Sequence, residues 1–424
     1  MRILYDLIFI IVALAHLPLY VFKRKFHSGF WMRLGIFPGG LKPDNPVWVH
    51  AVSVGEAMAV KEFIAHLRGV SGSRKIFITT VTSTGNKIAK SIAKEGDLAG
   101  YLPLDISFIV RKVVKKVKPS LFIMAETEIW PNLISALYRE KVPVILVNGR
   151  ISDRSFRGYS AIKFFIKPVL DKISLFCVQT DDDARRLRSL GVPENKIRVT
   201  GNMKFDNTPS IDMKDAAAVD KNKTLLDLKA DEKLWVCGST HPGEEDIIVD
   251  VYRELTRQYP KLKLLIAPRH PERAKDIEKI LSRYGFRAGL VSRLPLKACA
   301  CVSRPVFILD MIGELVSFYS IADIVFVGGS LVKKGGHNIL EPAGAGKPVL
   351  IGGHFFNFRD IAGLFIKKDA CIVIDNREQL FNKIKELLND PDMAVKLSRN
   401  AGSIIAENKG ATIRNLEYIE GYLR

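Results

Sequence analysis

The sequence has few cysteines, and their spacing excludes the roles that cysteines most often play. The five cysteines are an odd number, and Cys299 and Cys301 are separated by one residue with no cluster of histidines or cysteines after them. Neither a disulfide framework nor a zinc site fits this pattern, so we expect reduced thiols in a cytosolic protein. The pattern H-E-x-x-H and the EF-hand loop are also missing, which predicts no metal and no other cofactor.

Acidic residues are scarce relative to basic ones, and this imbalance narrows the range of partners. The chain has 64 Lys and Arg against 45 Asp and Glu, a formal charge of +19. Such a charge suits nucleic acid, an anionic membrane surface or an acidic substrate. Because the sequence shows no recognition helix, zinc finger or basic patch interleaved with aromatics, we expect no nucleic acid partner. A membrane-tethered binding protein without catalysis is the alternative that rests on the charge alone.

A long apolar run occupies residues 3–22, and Asp6 is its only charged residue. About 20 apolar residues suffice to cross a bilayer as a helix. Lys23, Arg24 and Lys25 follow directly, and basic residues on this flank place it in the cytoplasm. We therefore predict a single membrane anchor over residues 1–25 with the rest of the chain on the cytoplasmic face. A helix that lies in the membrane interface is the alternative.

Short apolar runs alternate with amphipathic helical patterns along the rest of the chain. In the first half, the strand candidates are residues 47–51, 76–80, 121–125, 142–147 and 175–179. In the second half, they are residues 234–238, 262–267, 306–309, 324–327, 349–351 and 372–374. Helical patterns, for example over 57–68 and 111–117, separate them, which is typical of parallel sheets covered on both faces. The predicted fold class is therefore α/β, with two doubly wound, Rossmann-like domains.

The chain of 424 residues is longer than one hydrophobic core usually holds, so two domains are expected. The polar stretch 202–230 carries no strand pattern and marks the division. We predict an N-terminal domain over 26–205 and a C-terminal domain over 206–424, with the option that the last helix returns to the N-terminal domain. Ligands of such sheets bind at the carboxyl ends of the strands, so we expect the active site in a cleft that the two domains face.

Two polar motifs of the first half follow strand candidates. In the first, Ser53 and Gly55 permit a tight loop, and Glu56 stands at the start of a helix. Glu56 is either a helix-start residue without chemistry or a general base. In the second motif, residues 125–132, two carboxylates and a tryptophan follow a strand, and Glu128 is placed to reach a hydroxyl or hold a basic neighbour.

The second half carries a glycine-rich motif after the strand at 324–327. Gly335 and Gly336 let the backbone approach a phosphate, and the helix that follows is expected to aim free N–H groups at it. Glu341 is placed to accept hydrogen bonds from a ribose diol. The pattern is neither G-x-G-x-x-G nor a P-loop. Three further strand ends carry polar or glycine residues: Ser239, Thr240 and His241; Arg269 and His270; and Gly313.

Taken together, these motifs resemble those of the bacterial transferases that move 3-deoxy-D-manno-octulosonic acid (Kdo) onto lipid A. The matching segments are HAVSVGE at 50–56, AETEIWPN at 125–132, NGRIS at 148–152, GNMKFD at 201–206, GSTHPGEE at 238–245, APRHPER at 267–273 and GGHNILEP at 335–342. The resemblance implies a GT-B fold, a CMP-Kdo donor bound by the C-terminal domain and a lipid A precursor bound by the N-terminal one. It further implies an inverting transfer in lipopolysaccharide biosynthesis at the cytoplasmic face of the inner membrane. There the basic protein is expected to contact a membrane surface that contains anionic lipids.

The resemblance also implies roles for individual residues. Glu56 is expected to be the general base, with Glu128 as a second catalytic carboxylate. The expected CMP-binding residues are Arg269, His270, Met311, Gly313, Glu314, Gly335, Gly336, Asn338 and Glu341. The expected sugar and phosphate contacts are Ser239, Thr240, Ser53 and Gly55. Residues 332–334 and Met311 depart from the family pattern, and a GT-B enzyme that uses another nucleotide sugar, or a GT-B epimerase, is the near alternative.

Overall fold

The computed structural model describes residues 5–13, 15, 29–37, 45–208, 216–294 and 305–423. The chain divides into two compact units: unit 1 comprises Met1–Asn207 and Asn408–Arg424, and unit 2 comprises Thr208–Glu407. Cys177, Cys237 and Cys371 are buried free thiols, as expected for a reduced protein, whereas Cys299 and Cys301 lie outside the described residues.

Unit 1 is built on a parallel sheet, and within the described residues this sheet has seven strands in the order β3-β2-β1-β4-β5-β6-β7. The strands are β1 Val47–His50, β2 Ile76–Thr80, β3 Leu98–Tyr101, β4 Leu121–Ala125, β5 Val144–Gly149, β6 Leu175–Val178 and β7 Ile197–Val199. The helices of this half are α1 Phe30–Arg33, α2 Val54–Ala59, α3 Lys61–Val70, α4 Ser83–Ile92, α5 Ser107–Val117, α6 Pro131–Arg139, α7 Asp153–Ala161, α8 Lys163–Leu170 and α9 Asp181–Ser189. The helical pattern predicted over 57–68 is confirmed except at Val60, where the chain turns between α2 and α3.

The central strands of unit 1 are apolar because both faces of the sheet are covered. Successive residues of a strand point to opposite faces. Trp48 accordingly packs in one core with Phe77 and Phe122, its register partners on β2 and β4. Val49 packs in the core of the opposite face. This arrangement explains why the strands read as continuous apolar runs rather than as alternating ones.

Unit 2 repeats the architecture with a second parallel sheet, which over the described residues has seven strands in the order β10-β11-β9-β8-β12-β13-β14. The strands are β8 Lys233–Thr240, β9 Leu262–Pro268, β10 Ala288–Leu290, β11 Val306–Ile308, β12 Ile324–Val327, β13 Val349–Gly352 and β14 Ile372–Ile374. The helices are α10 Ala216–Leu225, α11 Glu244–Leu255, α12 Ala274–Arg283, α13 Leu315–Ile321, α14 Leu340–Gly344, α15 Arg359–Lys367, α16 Arg377–Asn389 and α17 Pro391–Asn408.

Both sheets change direction once, and these switch points locate the sites. In unit 1, the chain runs outward from β1 to β3 and returns to β4, which pairs with the other side of β1. In unit 2, β12 returns in the same way to the free side of β8. Loops on the two sides of a switch point diverge and leave a crevice at the carboxyl ends of the strands, where doubly wound folds bind ligands.

The last helix, α18 Ala411–Ile419, belongs to unit 1. Asp206 holds its start, because one carboxylate oxygen accepts the N–H of Gly410 and the other accepts the N–H of Thr412, both at 2.6 Å. The Arg414 side chain also donates to the carbonyl of Thr200 at 2.8 Å. The GNMKFD segment therefore fastens the end of the chain to unit 1.

Residues 5–13 are helical and are tied to unit 1 through Asp6. The Asp6 carboxylate accepts the N–H of Ser107, the first residue of α5, at 3.1 Å and the side-chain amide of Asn132 on α6 at 2.7 Å. Leu7, Ile8 and Ile11 are exposed on this segment. Across the described residues, no helix combines the length and the apolar character that a membrane span requires. Most of the anchor predicted over 1–25 lies outside the described residues.

Candidate active site

The first cluster of unit 1 forms around Glu56, where α2 begins directly after β1. Ser53 caps α2, and its hydroxyl accepts the N–H of Glu56 at 3.5 Å and donates to Glu56 Oε1 at 3.0 Å. The N–H of Val52 donates to Glu56 Oε2 at 2.8 Å. This arrangement is a variant of the capping box that the spacing S-x-x-E favours, because the Glu56 carboxylate accepts the N–H of Val52, one residue before the N-cap, instead of that of Ser53. It fixes the Glu56 carboxyl and also occupies the Ser53 hydroxyl that we predicted to contact a phosphate.

Burial and neighbouring carboxylates raise the pKa of Glu56 above that of an ordinary glutamate. Its residue exposure is 8%. Desolvation and then the charge of Glu126 raise the pKa of Glu56 to about 7, against the opposing hydrogen bonds from Val52 and Ser53, and Glu128 adds a smaller increase. A carboxylate with a pKa near the working pH is suited to take and release a proton. The helix-start and general-base interpretations of Glu56 are therefore compatible.

The second cluster of unit 1 follows β4, on the other side of the switch point. Glu126 adopts a left-handed backbone conformation (φ 56°) and its carboxylate lies 2.9 Å from the Lys204 ammonium. Burial, and then the charge of Glu126, raise the pKa of Glu128. The structure thus brings Glu56, Glu126 and Glu128 into one electrostatically coupled group. Sequence reasoning selected Glu128 and missed Glu126 and Lys204, although both carboxylates stood in the same motif.

Two other motifs of the first half meet behind this group. Asn148, at the end of β5, is buried with φ 51°, and its side-chain oxygen accepts the N–H of Met203 at 3.0 Å. The bond joins the NGRIS segment to the GNMKFD segment that carries Lys204. The side-chain amide of Asn207 then donates to the carbonyl of Ala59, the last residue of α2, at 2.9 Å. The NGRIS and GNMKFD segments are therefore bonded to each other, and the chain that continues from GNMKFD is bonded to the end of α2.

In unit 2, a fully buried carboxylate shapes the loops at the switch point. Glu244, the first residue of α11, accepts four backbone N–H groups: those of His241 (2.9 Å), Gly329 (2.7 Å), Ser330 (3.0 Å) and Leu331 (3.0 Å). These donors belong to the loops after β8 and after β12. Glu244 therefore holds the two loops of the crevice together, a role that sequence reasoning did not assign to it.

Basic and imidazole side chains gather at the carboxyl ends of β8, β9 and β12. The rings of His241 and His337 are parallel to within 5° with centroids 5.1 Å apart, and the ring of His270 stands edge-on to His241 at 6.3 Å. Burial and then the charge of Arg269 lower the pKa of His337 to about 4. Burial and then the charge of Lys334 lower the pKa of His241. The local potential is therefore positive and suits an anion.

The glycine-rich motif differs in one respect from the prediction. Gly335 and Gly336 have φ of 94° and 73°, which suits glycine. The helix that follows them, however, is only five residues long, and its first N–H, that of Leu340, is taken by Asn338 Oδ1 at 3.1 Å. The expected free N–H groups of a helix start are thus not all available. The Asn338 amide also donates to Glu341 Oε1 at 3.1 Å, and burial raises the pKa of Glu341.

The remaining predicted residues differ in accessibility. Met311, Gly313 and Glu314, after β11, are exposed, as are Arg269 and His270 after β9. Ser239 has φ 56° at a bulge in β8. Thr240 is fully buried, which leaves its side chain no surface for a ligand and argues against the predicted contact. Gly55 has open space beside it in the first turn of α2.

Among the described residues, no group of three His, Cys, Asp or Glu side chains is placed to hold a metal ion.

Two parallel-sheet α/β units of this kind define the GT-B class of architecture. The chain resembles the crystal structure of a glycosyltransferase from Rickettsia africae with a TM-score of 0.57 at 15% identity, over 90% of this chain and 100% of the other. It also resembles a putative UDP-N-acetylglucosamine 2-epimerase from Listeria monocytogenes with a TM-score of 0.61 at 14% identity, over 89% and 96%. Because transferases and epimerases share this fold, the fold alone does not separate them.

Sequence similarity decides the family. Residues 28–207 match the family model of 3-deoxy-D-manno-octulosonic-acid transferase (kdotransferase). The 3-deoxy-D-manno-octulosonic acid transferase of Haemophilus influenzae is 35% identical over 384 residues, which cover 90% of this chain and 88% of that protein. The chain therefore belongs to the 3-deoxy-D-manno-octulosonic acid transferases and is a glycosyltransferase.

Proposed function

We propose that this transferase moves Kdo from CMP-Kdo to a lipid A precursor in lipopolysaccharide biosynthesis, with inversion at the anomeric carbon. The observation that carries the proposal is that each unit has a site at its own switch point and that the two sites differ in charge. Unit 1 places a carboxylate group with an elevated pKa at the β1/β4 switch point, and unit 2 places a cationic group at the β8/β12 switch point. A transfer from an anionic donor to a hydroxyl needs a proton acceptor for the hydroxyl and positive charge for the leaving phosphate.

In the proposed mechanism, Glu56 accepts the proton of the acceptor hydroxyl as the oxygen attacks the anomeric carbon of Kdo. The bond from that carbon to the CMP phosphate breaks, and CMP leaves with the bonding electron pair. Attack from the face opposite the leaving group inverts the anomeric centre. Burial, and after it the charges of Glu126 and Glu128, hold the pKa of Glu56 near neutrality, where a carboxylate is both partly ionised and basic enough to accept the proton.

We assign the donor to unit 2. Arg269 offers a planar fork of donors that matches a phosphate or carboxylate, and Lys334 adds a second cation nearby. Glu341 is the candidate partner of the ribose hydroxyls, and Asn338 orients it through their hydrogen bond of 3.1 Å. These groups supply the charge that a phosphate needs, which supports a transfer without a metal ion.

A lipid acceptor is supported by the apolar character of one face of unit 1. A cavity of about 530 Å³ opens there between the segment 5–13, α6 and α8. Its wall is mostly apolar, and its polar end contains Asn132, Ser135 and Lys172, whose ammonium donates to the Ser135 hydroxyl at 2.9 Å. Phe164 is 80% exposed on the same α8, and Ile162 is exposed just before that helix. An amphiphile with an anionic head suits such a surface.

We further propose that residues 1–25 anchor the chain in the inner membrane with both units on the cytoplasmic side. The basic flank at residues 23–25 and the overall charge of +19 support attraction to anionic lipids, each nearby Lys or Arg contributing about 1 kcal/mol. The exposed Leu7, Ile8 and Ile11 add apolar surface at the same end of the chain.

The test is incubation of the full chain with CMP-Kdo and a lipid A precursor in detergent, with the products followed by mass spectrometry. We expect CMP and a lipid that is heavier by one or more Kdo residues, and the mass also counts how many are added. Glu56→Gln should abolish transfer while CMP binding persists, whereas Glu95→Gln, an exposed carboxylate of unit 1, should leave transfer unchanged. Transfer from a UDP-sugar in place of CMP-Kdo would refute the assignment of CMP-Kdo as the donor. Activity in Glu56→Gln would refute the assignment of Glu56 as the general base.

A further inference from the structure

Two histidines of unit 2 meet through the same atom of each ring. His241 follows β8 and His337 lies between β12 and α14, so the pair spans the switch point of the sheet. Their Nε2 atoms are 2.9 Å apart, and the rings are parallel to within 5°. Two nitrogens at this distance share a hydrogen bond, which requires one proton between them.

The hydrogen bond limits how many protons the pair can hold. A neutral imidazole carries one N–H and one lone pair. In the neutral pair, one ring donates from Nε2 and keeps a lone pair on Nδ1, while the other accepts at Nε2 and carries its proton on Nδ1. One additional proton can enter at the remaining Nδ1 lone pair, but a second would set two N–H groups against each other. The pair therefore holds at most one positive charge, shared by both rings.

The surrounding backbone keeps the two rings in place. The N–H of His241 and the N–H of Gly329 both donate to Glu244 Oε2, at 2.9 and 2.7 Å. Gly329 has φ 69°, and a Cβ at this position would stand 3.0 Å from the ring of His337. A larger residue there would have to displace the ring. The close contact is therefore built into the loop rather than left to two mobile side chains.

Charged groups of both signs surround the pair, and those that shift its pKa values are basic. These basic groups are Arg269, His270, Arg273 and Lys334. Among the carboxylates, Glu245 pairs with Arg273 at 2.7 Å, Glu272 lies 3.6 Å from His270, Glu244 accepts the N–H of His241, and Glu341 on α14 interacts with Arg269. Burial and these cations lower the pKa of His337 to about 4 and also lower the pKa of His241. The pair is therefore neutral at pH 7 in the free protein.

We propose that the His241–His337 pair belongs to the anion site of the donor and takes up one proton when the cytidine monophosphate group binds. The proposal rests on CMP-Kdo as the donor. A unit negative charge about 5 Å away, at an effective dielectric constant of about 20, raises a pKa by roughly two units. The two charges of the phosphate dianion of free CMP are thus enough to convert the pair from neutral to cationic near pH 7, whereas the phosphodiester of CMP-Kdo carries one charge and gains the second as the sugar departs. The cation then lies where negative charge grows on the phosphate as the sugar departs.

Titration calorimetry of the full chain with CMP tests the proposal. At about pH 7.5 the CMP phosphate is already a dianion, because the second pKa of a phosphate monoester is about 6. Heats measured in several buffers of different ionisation enthalpy give the number of protons taken up. We expect at least about half a proton per CMP bound from the solvent. The double variant His241→Gln/His337→Gln, whose amides still form hydrogen bonds but do not titrate, should bind CMP more weakly and with uptake near zero. His66→Gln, on exposed α3 surface of unit 1, is the matched control and should keep the full uptake.

The outcomes separate this inference from the proposed function. CMP binding to the unaltered chain without proton uptake overturns the role of the pair alone, and this measurement needs no variant. Equal uptake in the unaltered chain and the double variant also overturns it, because other groups would then take up the proton. A chain that does not bind CMP at all overturns the donor assignment and the inference with it.

Discussion

Replacing Glu56 with glutamine should stabilise the protein at alkaline pH while it removes activity. Burial raises the pKa of Glu56 in the folded chain from its ordinary value of 4.5 to about 7. A carboxyl with a raised folded pKa destabilises the fold progressively as pH rises from its unfolded pKa to its folded one, because the unfolded chain ionises first. The shift of about 2.5 units corresponds to about 3 kcal/mol above pH 7. Glutamine carries no charge and keeps an oxygen for the Val52 N–H.

The assay is thermal unfolding of the unaltered chain and Glu56→Gln at about pH 5 and about pH 8. Between these conditions the stability difference should grow by about 2.5 kcal/mol, and a change of that size in a unit of roughly 200 residues moves Tm by about 5–10 °C. Glu95→Gln, an exposed carboxylate of unit 1, should show no such pH dependence. A difference between Glu56→Gln and the unaltered chain that is the same at both pH values would refute the reasoning, because burial would then not have raised the pKa of Glu56.

Three further changes test the rest of the site. Glu126→Gln removes a negative charge beside the proposed base, so the acidic limb of the pH–rate profile should shift to lower pH by roughly one pH unit. A limb at the same pH would show that the two carboxylates are not coupled. Arg269→Ala should raise KM for CMP-Kdo roughly 10- to 100-fold through a lost charge-assisted hydrogen bond, while the exposed Arg257→Ala should not. Glu244→Gln turns an amide N–H₂ toward backbone donors and should lower the free energy of unfolding by about 3 kcal/mol in urea titrations, against no change for the exposed Glu378→Gln.

The sequence predicted the central strands well and missed three of the edge strands. The central strands at 76–80, 121–125 and 324–327 were predicted with the bounds that the structure has, as was the edge strand β14 at 372–374. The missed strands are β3, β7 and β10, which lie at the edges of the two sheets and are partly exposed. A central strand of a parallel sheet is buried on both faces and reads as an apolar run. An edge strand needs fewer apolar residues, so its sequence gives a weaker signal.

At the site, the sequence predicted contacts between residues that are close in the chain but not contacts between residues that are far apart. The start of α2 at Glu56 follows from S-x-x-E spacing, which acts over four residues. The ion pair of Glu126 with Lys204 joins positions that are far apart in sequence, and no local sequence pattern predicts it. The same holds for the Nε2 contact of His241 with His337. Motif matching indicated which segments mattered but not which atoms within them meet.

Two buried glutamates stand at equivalent points of the two units, and their hydrogen bonds explain why only one is suited to accept a proton. Glu56 and Glu244 each lie in the first turn of the helix that follows the first strand of the unit's sheet. The four N–H groups that bind Glu244 use the four lone-pair sites of a carboxylate, and its exposure is 0%. The Glu56 carboxylate has one backbone N–H and one hydroxyl as donors and retains some exposure, which leaves lone pairs for a substrate hydroxyl. The same position in the fold therefore joins two loops where the carboxylate is saturated, and it leaves the carboxylate free to act as the proposed base where it is not.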